Sequence, residues 1–128
     1  MKKALVLGEV CQDIIVHDPR SVKVLGEPVW AGDVLTVAGG SAVFVASALN
    51  HLGAPVELWS TVGDDEVGSQ LIEELTGRGI DCRFIRRLPG YVTTRSVIVC
   101  EQEQKTSLLV LPCCLWRYQM ISAQSLSA

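Results

Sequence analysis

The glycine pair Gly39-Gly40 runs without a spacer into the apolar stretch Ser41 to Leu52, and this junction constrains the fold more than any other segment. Glycine lets backbone N–H groups approach a ligand closely, and the first turn of a helix carries unpaired donors. Together they make a place where hydroxyl or anionic groups can be held. Ala42 to Leu52 reads as a helix that is apolar on most sides, so it is expected to pack inside a layered domain. Gly53 stops it, with Pro55 just beyond.

The flanking segments supply the rest of the layers. Lys3 to Gly8 is a short apolar run, expected to be a strand buried on both faces, and Val10 to Val16 extends it after Gly8-Glu9. His17-Asp18-Pro19-Arg20 is a turn, and Val22 to Leu25 and Val34 to Val37 are short β-branched runs that predict small antiparallel strands or a flap. Val56 to Val62 is the next strand. Gly63-Asp64-Asp65 ends it, and Asp64 or Asp65 is expected to cap a helix over Glu66 to Thr76, whose Val67, Leu71, Ile72 and Leu75 recur at helical spacing. Gly77-Arg78-Gly79 closes that helix. Phe84 to Leu88, Thr93 to Cys100 and Thr106 to Leu111 are further β-type runs. The strand–helix–strand order predicts an α/β fold with a parallel sheet and a right-handed crossover.

A length of 128 residues suffices for one domain with a core, and 48% hydrophobic against 20% charged residues excludes a disordered chain. The densest basic cluster is Arg86-Arg87 in a chain of net charge −3, so no nucleic-acid partner is expected. Glu9 and Asp13 interrupt the N-terminal apolar run too early for a signal peptide, and no stretch approaches the ~20 apolar residues of a membrane span. The cysteines are Cys11, Cys82, Cys100, Cys113 and Cys114. An odd count, an adjacent pair and no Cys-x-x-Cys spacing argue against a disulfide scaffold and a zinc site, and reduced thiols in a cytoplasmic protein are expected. His17 and His51 are isolated and read as structural. From Pro112 the text loses its period, which fits either a change of reading frame near Leu111 or a short terminal helix docking Leu115 and Met120.

Several landmarks occur in order. They are Asp13 after the first strand, Ala38-Gly39-Gly40 opening an apolar helix, Leu52-Gly53-Ala54, then Thr61-Val62-Gly63-Asp64-Asp65-Glu66-Val67-Gly68 and Gly79-Ile80-Asp81. With Thr94-Arg95-Ser96 before Val97-Ile98-Val99, they resemble the N-terminal half of a ribokinase-like (PfkB-type) carbohydrate kinase over about residues 3 to 111. The resemblance implies a truncated, Rossmann-like ribokinase-type parallel sheet with a small β lid. The lid would lie within about 17–37 and 84–100, with strands at Val22 to Leu25, Val34 to Val37 and Phe84 to Leu88. Residues 1–111 would be the substrate-binding half and 112–128 an atypical tail. A sugar would sit between lid and sheet, and ATP would phosphorylate a sugar or nucleoside hydroxyl.

By that resemblance Asp13 holds the substrate. A carboxylate accepts two hydroxyl hydrogen bonds at once, which suits a vicinal diol, although a strand-end Asp also satisfies nearby backbone N–H groups. Gly39 and Gly40 would offer N–H groups to the substrate, or simply form a turn with positive φ. Ser41 could add its hydroxyl to the site, but is expected to be the helix N-cap. Phe44 departs from the family, which carries an Asn there. Either the pocket is more apolar and prefers a base or aglycone, or the site has decayed, or Phe44 turns into the core.

Asp64 and Asp65 invite a Mg²⁺ reading, with capping the favoured one. ATP and Mg²⁺ are the implied cofactors. The family's Gly-Ala-Gly-Asp-like turn, which provides the base, is absent, so no catalytic residue is assigned. The expected product is an inactive fragment. Its mean hydropathy of +0.32 fits a sheet edge and an apolar face left open, and hence a homo-oligomer formed through lid strands or that edge. The alternatives are a non-catalytic small-molecule-binding or oligomerising module, and a plain α/β domain without a ligand.

Overall fold

Three strands rich in Val, Leu and aromatic residues run parallel in one sheet: β1 (Ala4–Leu7), β4 (Val56–Gly63) and β5 (Asp81–Leu88), in the order β1-β4-β5. A second sheet joins β3 (Asp33–Gly39), β2 (Cys11–His17), β6 (Arg95–Cys100) and β7 (Lys105–Val110) in that order. Within it β2 is antiparallel to β3 and parallel to β6, and β6 is antiparallel to β7. Two helices, α1 (Ser41–His51) and α2 (Glu66–Gly77), connect the strands. The computed structural model describes residues 2–17, 30–100 and, as backbone only, 105–110.

One core joins both sheets to both helices. Val6, Val56, Leu58 and Val62 of the parallel sheet meet Val43 and Ala46 of α1 and Leu71 and Leu75 of α2, while Ala38 of β3 and Val10, just ahead of β2, bring in the second sheet. Every second strand residue points this way, as the pleat requires. The alternate residues face away. Leu5 and Leu7 are 64% and 58% exposed, and Trp59 stacks on Phe84 with ring centroids 4.7 Å apart. The register Leu7↔Trp59↔Phe84 sets these rings and Leu7 on one open face. The expectation of a first strand buried on both faces is therefore corrected: helices cover only one side of it.

The first helix is corrected in the same way. Ala42, Val43 and Ala46 are buried, but Phe44, Val45 and Leu52 face solvent, so a helix apolar on most sides is buried on one. Val10 to Val16 does not extend the first strand. The chain leaves the parallel sheet at Gly8, whose N–H is bonded to Trp59 O at 3.2 Å, and β2 begins the other sheet.

Phe84 to Leu88 lies in β5, beside β4, and not in the lid. Cys82 and Ile85 reach the core there, and Phe84 packs on Trp59. Val34 to Val37 does lie in the second sheet, within β3. The predicted strand Val22 to Leu25 and the tail 112–128 fall outside the described residues.

Candidate functional site

Asp13 lies in β2, between Val37 of β3 and Ser96 of β6 in the register of the second sheet. Burial of a carboxylate is costly unless it is hydrogen-bonded. Asp13 is only 7% exposed, and its Oδ1 accepts from the Ser96 hydroxyl and from the Cys11 Sγ–H at 3.3 Å. Cys11 is two residues away along the same strand, so both side chains share a face. Oδ2 rests against the backbone of Gly39. A Cβ at Gly39 would fall 2.0 Å from it, a distance no side chain can adopt.

The next residue turns the chain into α1. Gly40 has φ +102°, and a Cβ there would stand 2.4 Å from Glu9 O. Both the left-handed backbone and the close approach exclude any larger residue. Gly40 also occupies the N-cap position, and no side chain caps the helix. The expectation that Ser41 is the cap is corrected. Ser41 is the exposed first residue of the helix proper, because the positive φ that a cap residue with a side chain would avoid falls at the preceding position. Phe44 sits one turn in, its N–H bonded to Gly40 O at 3.2 Å. At 65% exposure its ring is not part of the core, which removes that reading.

The structure thus brings Asp13, Gly39, Gly40, Ser41 and Phe44 onto one short path: a buried acceptor, a glycine turn, and an uncapped helix start with an aromatic ring beyond it. Such an arrangement can accept from one hydroxyl and donate backbone N–H groups to another. Sequence reasoning assigned no role to Ser96. Its signal is a polar residue inside the β-branched run Ser96-Val97-Ile98-Val99, matching Asp13 inside Asp13-Ile14-Ile15-Val16.

Of the two candidates Asp64 and Asp65, Asp65 is the N-cap of α2. Its Oδ1 accepts from Gly68 N at 2.8 Å and from Thr93 Oγ1 at 2.5 Å, and its Oδ2 accepts from Thr93 N at 2.9 Å. Thr93 Oγ1 accepts in turn from Gly63 N at 3.0 Å. Burial opposes the Asp65 charge. The bonds from Thr93 and Gly68, with the nearby Arg95 charge, outweigh it and hold the carboxyl below the usual range.

Asp64 instead pairs with Arg87, Nε to Oδ1 at 3.3 Å. A cap with both oxygens engaged and a carboxylate beside a guanidinium do not fit Mg²⁺. Among the described residues no group of three His, Cys, Asp or Glu is placed to hold a metal. No Gly-x-Gly-Asp turn occurs in the chain, so none of its residues is assigned to ATP.

A family model described as pfkB family carbohydrate kinase matches residues 1–112. Ribokinase of Bacillus subtilis (strain 168) is 32% identical over 80 residues, which is 62% of this chain and 27% of the relative. The uncharacterized sugar kinase YeiI of Escherichia coli (strain K12) is 32% identical over 107 residues, 83% of this chain and 29% of that protein. The structure of Arabidopsis thaliana ribokinase complexed with ribose and ATP superposes with a TM-score of 0.72 at 25% identity, covering 85% of this chain and 35% of the other. The chain therefore spans less than a third of the length of either curated relative.

Proposed function

The chain belongs to the pfkB family of carbohydrate kinases and shares the ribokinase-type α/β fold, and from that premise we propose that it is the substrate-binding part of an ATP-dependent sugar or nucleoside kinase. One observation carries the reading: the buried Asp13 carboxylate, held by Ser96 and packed on Gly39, where the backbone turns at Gly40 into an uncapped helix. Asp13 accepts a hydrogen bond from a sugar hydroxyl, and the N–H groups around Gly40 and Ser41 donate to a neighbouring oxygen. Phe44, exposed on the first turn, offers an apolar surface to a base or aglycone.

Phosphoryl transfer needs charge stabilisation and a group to take the hydroxyl proton. No residue of this chain is assigned either task, so its part is to bind and orient the acceptor, without turnover by itself. Among the described residues no helix is long and apolar enough to cross a membrane, and a cytoplasmic location is part of the proposal.

The test is a titration of the ¹⁵N-labelled chain with D-ribose and with inosine, alongside an assay for ADP formed from ATP. The expected result is saturable shifts at the Gly39, Gly40, Ser41 and Phe44 amides, lost in Asp13→Ala, with no ADP above background. A folded chain whose amides stay unmoved overturns the binding role, and sugar-dependent ADP overturns the inactivity. The open face at Leu5 and Leu7 favours a second reading, a non-catalytic binding module that self-associates.

A further inference from the structure

We propose that Ser96 is a positioning residue that fixes the orientation of the Asp13 carboxylate toward the substrate; this rests on the reading of Asp13 as a substrate contact. Asp13 offers two oxygens, and the chain treats them differently. Both side-chain donors, Ser96 Oγ and Cys11 Sγ, go to Oδ1. Among the described residues no donor reaches Oδ2, and the whole carboxyl group lies against Gly39 at the turn into α1, where a Cβ would stand 2.0 Å from Oδ2 and 2.7 Å from Oδ1.

The parallel register of β2 and β6 makes Ser96 the direct neighbour of Asp13, and Ser96 is itself buried. Its hydroxyl has one proton to give, and that proton is spent on a carboxylate in a site with little water. Tilting the carboxylate plane would break this charge-assisted bond. The oxygen left without a side-chain donor is therefore the one that carries the substrate hydroxyl. A diol bridging both carboxylate oxygens, the arrangement expected from the residue type alone, gives way to contact through one oxygen. Ser96 does not touch the substrate; it acts through Asp13.

The experiment measures the dissociation constant for D-ribose by ¹⁵N shifts, on the wild-type chain and on Asp13→Asn, Ser96→Ala and Ser96→Thr. The thermal midpoint of each is taken to confirm folding. Ser96→Ala is expected to weaken ribose binding about tenfold, the scale of one hydrogen bond to a charged group. Ser96→Thr keeps the O–H donor and is expected to bind within about twofold of wild type. A role in packing alone would move the thermal midpoint of Ser96→Ala and leave its affinity unchanged.

Ser96→Ala binding like wild type while Asp13→Asn binds weakly overturns this inference and spares the substrate reading. Ser96→Thr as weak as Ser96→Ala overturns it as well. Asp13→Asn binding like wild type, or a wild-type chain without ribose affinity, removes the substrate reading and the inference with it.

Discussion

Replacing Asp65 by Ala removes a carboxylate that serves three donors at once: Gly68 N–H, Thr93 N–H and Thr93 O–H. Two separate losses follow. The first is the cap of α2, typically about 1 kcal/mol. The second is the orphaning of the N–H and O–H of Thr93, a residue with no solvent exposure, which costs about 1–3 kcal/mol. The expected destabilisation is therefore about 2–4 kcal/mol, read as a shift in the urea midpoint at unchanged slope.

Thr93→Val removes the hydroxyl and keeps the N–H. The double variant Asp65→Ala/Thr93→Val is expected to be less destabilised than the sum of the two, by about 1 kcal/mol or more, since both changes break the same bond.

The effect depends on pH in a definite direction. The folded Asp65 carboxyl lies below the ordinary aspartate range, so its contribution is complete above that range and fades as pH falls through the folded value. The gap between wild type and Asp65→Ala should be constant from neutral pH down to about pH 5 and begin to narrow below about pH 4. A difference under about 0.5 kcal/mol at pH 7, or strict additivity with Thr93→Val, would refute this account of the Asp65–Thr93 contact.

Gly39→Ala should push the Asp13 carboxylate from its place, since the added Cβ would meet Oδ2 at 2.0 Å; a loss of about 1–3 kcal/mol in urea stability and of ribose affinity is expected together. Ser41→Ala should change stability by less than about 0.5 kcal/mol, far below a cap substitution, because its side chain caps nothing; the same urea titration decides it. Leu5→Lys/Leu7→Lys should convert a self-associating chain into a 13.9 kDa monomer in sedimentation velocity at a folded thermal midpoint; a wild type already monomeric at high concentration would refute association through that face.

Much of this protein is legible in its residue order. The apolar runs separated by Gly, Pro and Asp give the strands and helices their places. Asp64-Asp65 before Glu66 and a helical run of Val67, Leu71 and Leu75 mark a capped helix start, and the structure then assigns the cap to Asp65 while Asp64 pairs with Arg87. The glycine pair marks the turn because only glycine accepts φ +102° at position 40. These features are local: each follows from backbone sterics or from hydrogen bonds within a few residues.

Tertiary structure alone decided the rest, because it depends on which strand lies beside which. Residue order could not separate β5 from the lid, since Phe84 to Leu88 has β character wherever it pairs; its place beside β4 comes from burying Ile85 and stacking Phe84 on Trp59. Ser96 and Asp13 are 83 positions apart, and only the parallel register of β2 with β6 makes them partners. Thr93 and Asp65 likewise meet across 28 positions. Hydrophobicity states that Leu5, Leu7 and Phe44 avoid water. Their exposure follows from the faces the two helices cover, a property of the assembled layers and not of any one segment.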